Sequence, residues 1–332
     1  MNVRRAVLVG LVALVVGAGA VFGEQCENPL SGMEPNPGGE PLRFALVTID
    51  TTVFWVPVAK GFKDAAATFG VIGEHLGPAE ASEAAEADLL QNLLEDGVDG
   101  VAVFVPSPGS LDRVIEEYLD AGVPILIFCT GEREAEKYGL AYIGEDNYDA
   151  GLIWGQKILE LLGSDPAGKR VCVMTECPGY SCLEDRIRGG KEILEPAGVI
   201  VDVVDTTMDR VTAYGVIESY YLANPDVAAF CGVDTTGTPV AAEFLAKNDL
   251  IGDVFIAGFD LTVEVVEGLK NGAVAFTIDQ HPYAEGFHSM TQLYLWLTLG
   301  IKPSWVDTGG FIVTAEDVAL YGLDTLVEQG YR

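Results

Sequence analysis

Three places in the chain bring together side chains that could bind a small polar molecule. The first is the run from Asp50 to Trp55, where small polar residues precede two aromatic residues directly after an apolar stretch. Aromatic rings stack on the apolar face of a sugar ring, while neighbouring polar groups bond to its hydroxyls. Alternatively, Trp55 is only the first core residue of the helix that follows. The sequence leaves both interpretations open.

The other two candidates are single charged residues. Asp260 ends the apolar run before it, so its carboxylate either contacts a ligand or caps the next helix. Arg186 opens a predicted helix, and its guanidinium can donate two charge-assisted hydrogen bonds to hydroxyls or to a carboxylate. Because the chain has 50 acidic and only 19 basic residues, a surface ion pair of Arg186 is the alternative.

Motifs for other chemistries are incomplete. The segment Gly163–Lys169 matches the start of a phosphate-binding loop, but Arg170 stands where Ser or Thr is required. Cys172, Cys177 and Cys182 have no nearby histidine with which to form a zinc site. The chain also lacks the G-x-S-x-G motif of serine hydrolases. We therefore expect no metal, no cofactor and no enzyme activity.

The charge of the chain restricts its partners. The formal net charge is −31, and 49% of the residues are hydrophobic. Such an acidic excess repels phosphate backbones and anionic lipid surfaces, while the hydrophobic content suits a globular protein. We expect no nucleic-acid partner.

The first 41 residues differ from the rest in composition. Residues 1–23 predict a secretory signal peptide, with a basic start, the uncharged run Ala6–Gly23 and small residues at its end. An uncleaved membrane anchor is the alternative, as is lipidation of Cys26. Residues 24–41 are rich in proline and glycine, which predicts a flexible tether.

Export permits disulfides. Cys177 and Cys182 flank a turn-rich loop, Pro178-Gly179-Tyr180-Ser181, and are therefore the candidate pair. The other four cysteines lie near the start of the mature chain or in apolar runs, where a thiol behaves as a small hydrophobic group.

Apolar runs alternate with helical patterns along the rest of the chain. The predicted strands are Arg43–Ile49, Val71–Leu76, Gly100–Val105, Pro124–Cys129, Arg170–Thr175, Val199–Asp205, Val227–Cys231, Val254–Gly258, Ala273–Ile278 and Phe311–Val313. Predicted helices include Trp55–Phe69, Glu83–Glu95, Glu184–Leu194, Tyr283–Leu299 and one that starts at Ala315. Nearly continuous apolar strands between helices predict parallel sheets that are covered on both faces. Ten strands favour two sheets, with ligands at the carboxyl ends of their strands.

In their order and spacing, nine segments resemble the type I periplasmic sugar-binding proteins of ABC importers, especially the glucose- and ribose-binding group. The resemblance spans about Leu42 to Glu328. The segments are FALVTIDTTVFWVPVAKGFKDAA, GVDGVAVFVPSP, AGVPILIF, AYIGEDNYDAG, EDRIRGG, NPDVAAFCGVD, VFIAGFD, VAFTIDQHPYAEG and FIVTAED. The resemblance implies an exported, periplasmic or cell-surface monomer that binds a monosaccharide or polyol and delivers it to a membrane permease.

The resemblance also implies an α/β fold of two doubly wound lobes joined by a three-segment hinge. The hinge crossings fall near residues 143–145, 277–279 and 307–310. The N-terminal lobe would comprise 42–144 plus 279–308, and the C-terminal lobe 145–278 plus 309–332.

Carried over by position, the family's ligand contacts fall on Thr52, Phe54, Trp55, Cys129, Thr130, Arg186, Asp234 (or Val233), Asp260 and Gln280. Two positions depart from the family pattern. Cys129 stands where relatives carry an aspartate, and Asp234-Thr235-Thr236 replaces an expected asparagine. The ligand is therefore expected to have fewer or differently placed hydroxyls, as in deoxysugars, polyols or another small polar molecule.

Proteins with this kind of fold core also serve as repressors, a function that the sequence excludes, and two further functions remain open. Repressors that share its core carry a basic helix-turn-helix before the first strand, which this chain lacks. A sensor that presents its ligand to a chemoreceptor or histidine kinase remains an alternative, as does a secreted carbohydrate-active enzyme.

Overall fold

The structure is a computed structural model that describes residues 39–332. The predicted signal peptide, Cys26 and residues 24–38 of the predicted tether lie outside the described residues. Within residues 39–332, no helix has both the length and the apolar character needed to cross a membrane.

Strands and helices alternate along the described chain. The strands are β1 (Arg43–Val47), β2 (Ile72–Leu76), β3 (Gly100–Val103), β4 (Ile125–Phe128), β5 (Tyr142–Gly144), β6 (Arg170–Thr175), β7 (Ile200–Asp205), β8 (Val227–Gly232), β9 (Phe255–Phe259), β10 (Val274–Asp279), β11 (Val306–Asp307) and β12 (Phe311–Val313). The helices are α1 (Trp55–Phe69), α2 (Glu83–Glu95), α3 (Asp112–Ala121), α4 (Glu132–Tyr138), α5 (Asn147–Leu162), α6 (Ser181–Leu194), α7 (Arg210–Ala223), α8 (Gly237–Lys247), α9 (Val263–Asn271), α10 (Pro282–Leu299), α11 (Ala315–Tyr321) and α12 (Leu323–Glu328).

The strands form two six-stranded sheets. The first has the order β11-β5-β4-β3-β1-β2, and the second has the order β12-β10-β9-β8-β6-β7. Every pairing is parallel except that of β12, which runs antiparallel to β10 at the edge of the second sheet. The predicted α/β class with two doubly wound, mainly parallel sheets is confirmed.

Buried strands explain this arrangement. All residues of β3 and β4 are buried, so both faces of the first sheet need a cover of helices. Phe62 and Leu293 pack on one face of the first sheet, while Leu90 and Tyr118 pack on the other. The second sheet likewise lies between two apolar clusters.

Helices α1 and α10 cross in direct backbone contact over the first sheet. A Cβ atom added to Gly61 would overlap the carbonyl oxygen of Tyr283, and one added to Gly286 would overlap that of Val58. The two glycines therefore allow the close approach. Since α10 follows the last long strand of the second sheet, the chain returns here to the first sheet.

The chain passes between the sheets three times. It leaves the first sheet after β5, returns between β10 and β11, and passes back between β11 and β12. The structure contains three short elements that the sequence did not predict, α4, β5 and β11. The predicted final helix divides into α11 and α12, because Gly322 takes a left-handed conformation with φ of 62°.

Candidate functional site

A cavity of about 630 Å³ lies between the carboxyl ends of the strands of both sheets. Its volume is in the range of small-molecule sites. Eight of the nine predicted contact residues line it: Thr52, Phe54, Trp55, Cys129, Arg186, Asp234, Asp260 and Gln280.

Thr130 is the ninth predicted contact, and it does not line the cavity. Its side chain is fully buried in the protein. Both residues follow the end of β4, and only Cys129 of this pair lines the cavity. Cys129 itself has a positive φ of 63°.

Trp55 forms part of an aromatic wall. Its indole N–H donates to Oδ1 of Asp50 at 2.9 Å, and the same oxygen accepts the backbone N–H of Thr52 at 2.8 Å. The ring packs edge to face against Phe54 and Phe104, with centroids 4.7 and 4.9 Å away. Trp55 is therefore both a core residue and a wall of the cavity. Asp50, which orients the indole, was not among the predicted contacts.

Arg186 is buried, which contradicts the alternative of a surface ion pair. Its Nη2 donates to Oε1 of Glu145 at 2.5 Å and to Oε1 of Gln280 at 3.2 Å. Nη1 donates to the carbonyl of Val233 at 2.9 Å, and the guanidinium lies 4.4 Å from the ring centroid of Phe259. Among residues 39–332, Arg186 is the only arginine that is buried. An ion pair and a cation–π contact together set the position of its guanidinium.

Glu145 is the residue of this cluster that sequence reasoning missed as a site residue. It is fully buried, and its second oxygen accepts the backbone N–H of Gly310 at 3.1 Å. A Cβ atom added to Gly309 would overlap Glu145, so the neighbouring glycine leaves room for the carboxylate. Nothing in its residue type marks Glu145 among 50 acidic residues; its place at a predicted crossing was the only available indication.

Asp260 does not cap the following helix, because Thr262 caps α9 by accepting the N–H of Val265. Instead its Oδ1 accepts a hydrogen bond from the amide of Gln280 at 2.5 Å, and its Oδ2 accepts one from the hydroxyl of Thr235 at 2.9 Å. Gln280 therefore joins Asp260 to Arg186.

Asp234 is engaged by the backbone. Its Oδ1 accepts N–H bonds from Thr236 and Gly237, and its Oδ2 accepts one from Glu176. These bonds connect the residue that follows β6 to the start of α8. The residue lines the cavity, but its carboxylate already has three donors from the protein.

Burial controls the protonation of these groups. It raises the pKa of Glu145 to about 7, although the neighbouring charge of Arg186 opposes the rise. It also raises the pKa of Asp260, again against the effect of Arg186. Burial raises the pKa of the Cys129 thiol well above its ordinary value, so the cavity meets a neutral thiol at this position.

The predicted disulfide between Cys177 and Cys182 is absent, and both residues are free thiols. Cys182 lies in the first turn of α6, and its side chain is buried in the apolar cluster with Leu183 and Ile187. Because helix α6 begins at Ser181, earlier than predicted, Cys182 belongs to the helix and not to the end of a loop.

Comparison with known proteins places this site in a family. Residues 43–300 match the family described as "Periplasmic binding protein domain". The xylose/arabinose-binding protein of Sulfolobus acidocaldarius is 29% identical over 296 residues, covering 84% of this chain and 72% of that protein. The D-allose-binding periplasmic protein of Escherichia coli is 25% identical over 238 residues, covering 69% and 76%.

Solved structures agree with this assignment. An ABC transporter solute-binding protein of Burkholderia graminis in complex with D-arabinose has a TM-score of 0.78 at 25% identity, covering 83% of this chain and 96% of that one. A carbohydrate transporter protein of Acidothermus cellulolyticus in complex with myo-inositol also reaches 0.78, at 26% identity, covering 88% and 100%. With its two parallel sheets and the cavity between them, the chain belongs to the periplasmic binding protein domain family and has the fold of its type I members.

Proposed function

We propose that this chain is the extracytoplasmic solute-binding protein of an ABC importer and binds a small neutral sugar or polyol in the cavity between its lobes. The observation that carries the proposal is one buried chain of contacts. It runs from Glu145 through Arg186 and Gln280 to Asp260, beside the indole of Trp55. A buried hydrogen-bonding cluster next to aromatic side chains suits a ring that has both hydroxyls and apolar C–H groups.

The charges of the cluster favour a neutral ligand. The charge of Arg186 is compensated by Glu145 at 2.5 Å, and Asp260 contributes a further carboxyl group to the cavity. A bound anion would meet this carboxyl group, and the arginines that line the cavity, Arg186, Arg210 and Arg332, are each already paired with a carboxylate. The relatives named above support a monosaccharide or a cyclic polyol, since their names or complexes include xylose, arabinose, allose and myo-inositol.

The neutral thiol of Cys129 supports a ligand with fewer hydroxyls, or differently placed ones, than the ligands of glucose- and ribose-binding relatives. A thiol is a weak hydrogen-bonding group compared with a carboxylate. The proposed ligand is therefore a deoxysugar, a polyol or another small polar molecule, and the identity of glucose does not carry over from the relatives.

We infer that the lobes comprise 42–144 plus 279–308 and 145–278 plus 309–332. The membership of the strands in the two sheets supports these boundaries, since β11 belongs to the first sheet and β12 to the second. A ligand that contacts both lobes stabilises their closed arrangement by its higher affinity for that state.

The proposed setting is outside the cytoplasm, in the periplasm or at the cell surface, with residues 1–23 as the export signal. The protein would act as a monomer without catalysis and deliver its ligand to a membrane permease. The family membership supports this setting.

A thermal-shift screen tests the proposal. Purified protein is heated with D-xylose, L-arabinose, D-arabinose, D-ribose, D-allose, D-fucose, D-glucose and myo-inositol, and calorimetry follows for every compound that raises the melting temperature. We expect at least one of them to raise it and to be recovered chemically unchanged. Consumption of the sugar would indicate an enzyme instead, and stabilisation only by anions or amino acids would contradict the proposal.

A further inference from the structure

Residues 330–332, here called the tail segment, leave the core of the second sheet and contact helices of the first. The preceding helix α12 is anchored in the second-sheet core, where Leu323 is buried and Leu326 and Val327 pack against the same apolar cluster. That cluster also holds Val265 and Leu269 of α9. The base of the tail segment is therefore attached to the second sheet.

A specific turn redirects the chain after α12. The N–H of Tyr331 donates to the carbonyl of Leu326 at 2.8 Å, and the N–H of Gly330 donates to that of Val327 at 3.0 Å. Gly330 has a φ of 74°, which favours glycine. These paired bonds form a Schellman motif, which ends the helix and turns the chain sharply.

The turn brings Tyr331 onto the first-sheet helices. The Nζ of Lys60 in α1 lies 4.5 Å from the centroid of the Tyr331 ring, and the ring of Tyr283 in α10 lies 5.1 Å from it. Lys60 and the hydroxyl of Tyr283 both bond to Asp64 of α1. Tyr331 thus covers a small polar cluster formed by Lys60, Asp64 and Tyr283. All three lie on helices that pack on the first sheet, whereas α12 packs on the second.

Arg332 connects the tail segment to the cavity. Its Nη1 lies 3.4 Å from Oδ2 of Asp279, whose side chain is only 3% exposed. Asp279 ends β10 and directly precedes Gln280 of the buried cluster. Gly330 and Arg332 themselves line the cavity.

We propose that the tail segment is part of the ligand-binding site and a connection between the two lobes, which adds to the three hinge crossings and to contacts such as that of Ser181 with Pro106. Arg332 contributes a guanidinium donor for a hydroxyl of a neutral ligand, and Tyr331 holds the second lobe on the first. The ligand contact of Arg332 rests on the proposed function, whereas the contact of Tyr331 between the lobes does not depend on that function. The matched family region ends at residue 300, so the tail segment lies outside it.

The test compares the wild-type chain with a Tyr331→Ala/Arg332→Ala double variant, which retains Gly330 and therefore the turn. Tyr321→Ala is the matched control, since this tyrosine of α11 is 64% exposed. Small-angle scattering gives the radius of gyration of each protein without ligand. Stopped-flow fluorescence gives the dissociation rate of D-xylose, D-arabinose or myo-inositol, whichever stabilises the wild type.

We expect the double variant to expand without ligand and to release the sugar about tenfold faster, as losing one charge-assisted bond and one cation–π contact would predict. Tyr331→Phe and Arg332→Lys should each retain most of the wild-type behaviour. An unchanged radius together with an unchanged release rate would overturn the inference.

If the wild type binds none of the sugars, the proposed function fails, and the scattering comparison alone then decides whether the tail segment connects the lobes. A double variant that has lost its folded circular-dichroism spectrum is replaced by Tyr331→Ala alone, judged by the same criteria.

Discussion

Oε1 of Glu145 lies 2.5 Å from Nη2 of Arg186, and both side chains are buried between the two sheets. Glu145 directly follows β5, where the chain leaves the first sheet, and its other oxygen holds Gly310, where the chain enters β12. One carboxylate therefore joins two chain crossings to the guanidinium of the cavity. This position makes the ion pair sensitive to the arrangement of the lobes as well as to the ligand.

Removing Glu145 is expected to destabilise the fold. Glu145→Leu leaves the buried guanidinium of Arg186 without its counter-charge, which typically costs about 3–5 kcal/mol of the free energy of unfolding. Urea denaturation above pH 7, where Glu145 is ionised, measures this loss. Glu117→Leu is the control, because Glu117 forms an ion pair of 2.6 Å with Arg113 at the surface, where such pairs contribute about 0–1 kcal/mol. Equal losses in the two variants would contradict the role of the buried pair.

The raised pKa of Glu145 predicts a pH dependence of stability. Burial raises this pKa to about 7 in the folded protein, from an ordinary value of 4.5. The folded state therefore holds a proton that the unfolded state has lost between these two values, so the contribution of Glu145 falls as pH rises from about 4.5 to about 7. Denaturation of wild type and Glu145→Gln across this window should show a steeper decline for the wild type. Parallel profiles would mean that Glu145 does not titrate there.

Asp260 is expected to be required for ligand binding. Asp260→Ala removes the acceptor of Gln280 and Thr235 and leaves two donors of the cavity unpaired, which predicts a loss of about 2–4 kcal/mol in binding free energy. Calorimetry with the sugar found in the screen measures this loss. Asp253→Ala, at an exposed position before β9, should bind like the wild type. Unchanged affinity in Asp260→Ala would show that this site assignment is wrong.

The indole N–H of Trp55 is expected to matter beyond the size of its ring. Trp55→Phe keeps an aromatic wall but loses the bond of 2.9 Å to Asp50. Asp50 keeps the N–H of Thr52 but no longer orients the ring, so sugar binding should weaken by about 1.5–3 kcal/mol, the contribution of one hydrogen bond to a charged group. Trp305→Phe is the control, since Trp305 is 49% exposed. A Trp55→Phe variant that binds as tightly as Trp305→Phe would exclude a role for the indole N–H.

Local patterns in the sequence determined most of the fold. Helix α2 and strand β6 begin and end at their predicted residues, since hydrophobic periodicity and capping residues act over a few positions. The segments α4, β5 and β11 were not predicted because they are too short to show a periodic pattern. Strand β11, for example, has two residues and is defined by its pairing with β5. The antiparallel direction of β12 likewise depends on β10, which lies more than 30 residues earlier in the chain.

The types of the cavity residues were readable from the sequence, but their partners were not. The sequence determined that an indole, a guanidinium and a carboxylate follow strands, and parallel strands bring their carboxyl ends to one edge. Only the tertiary structure decided that Arg186 pairs with Glu145, that Asp234 is engaged by backbone N–H groups, and that Thr130 is buried outside the cavity. The same holds for residues 330–332 and their contact with Lys60. Such contacts join positions far apart in the chain, and their energies depend on burial and distance, which no local pattern of residues encodes.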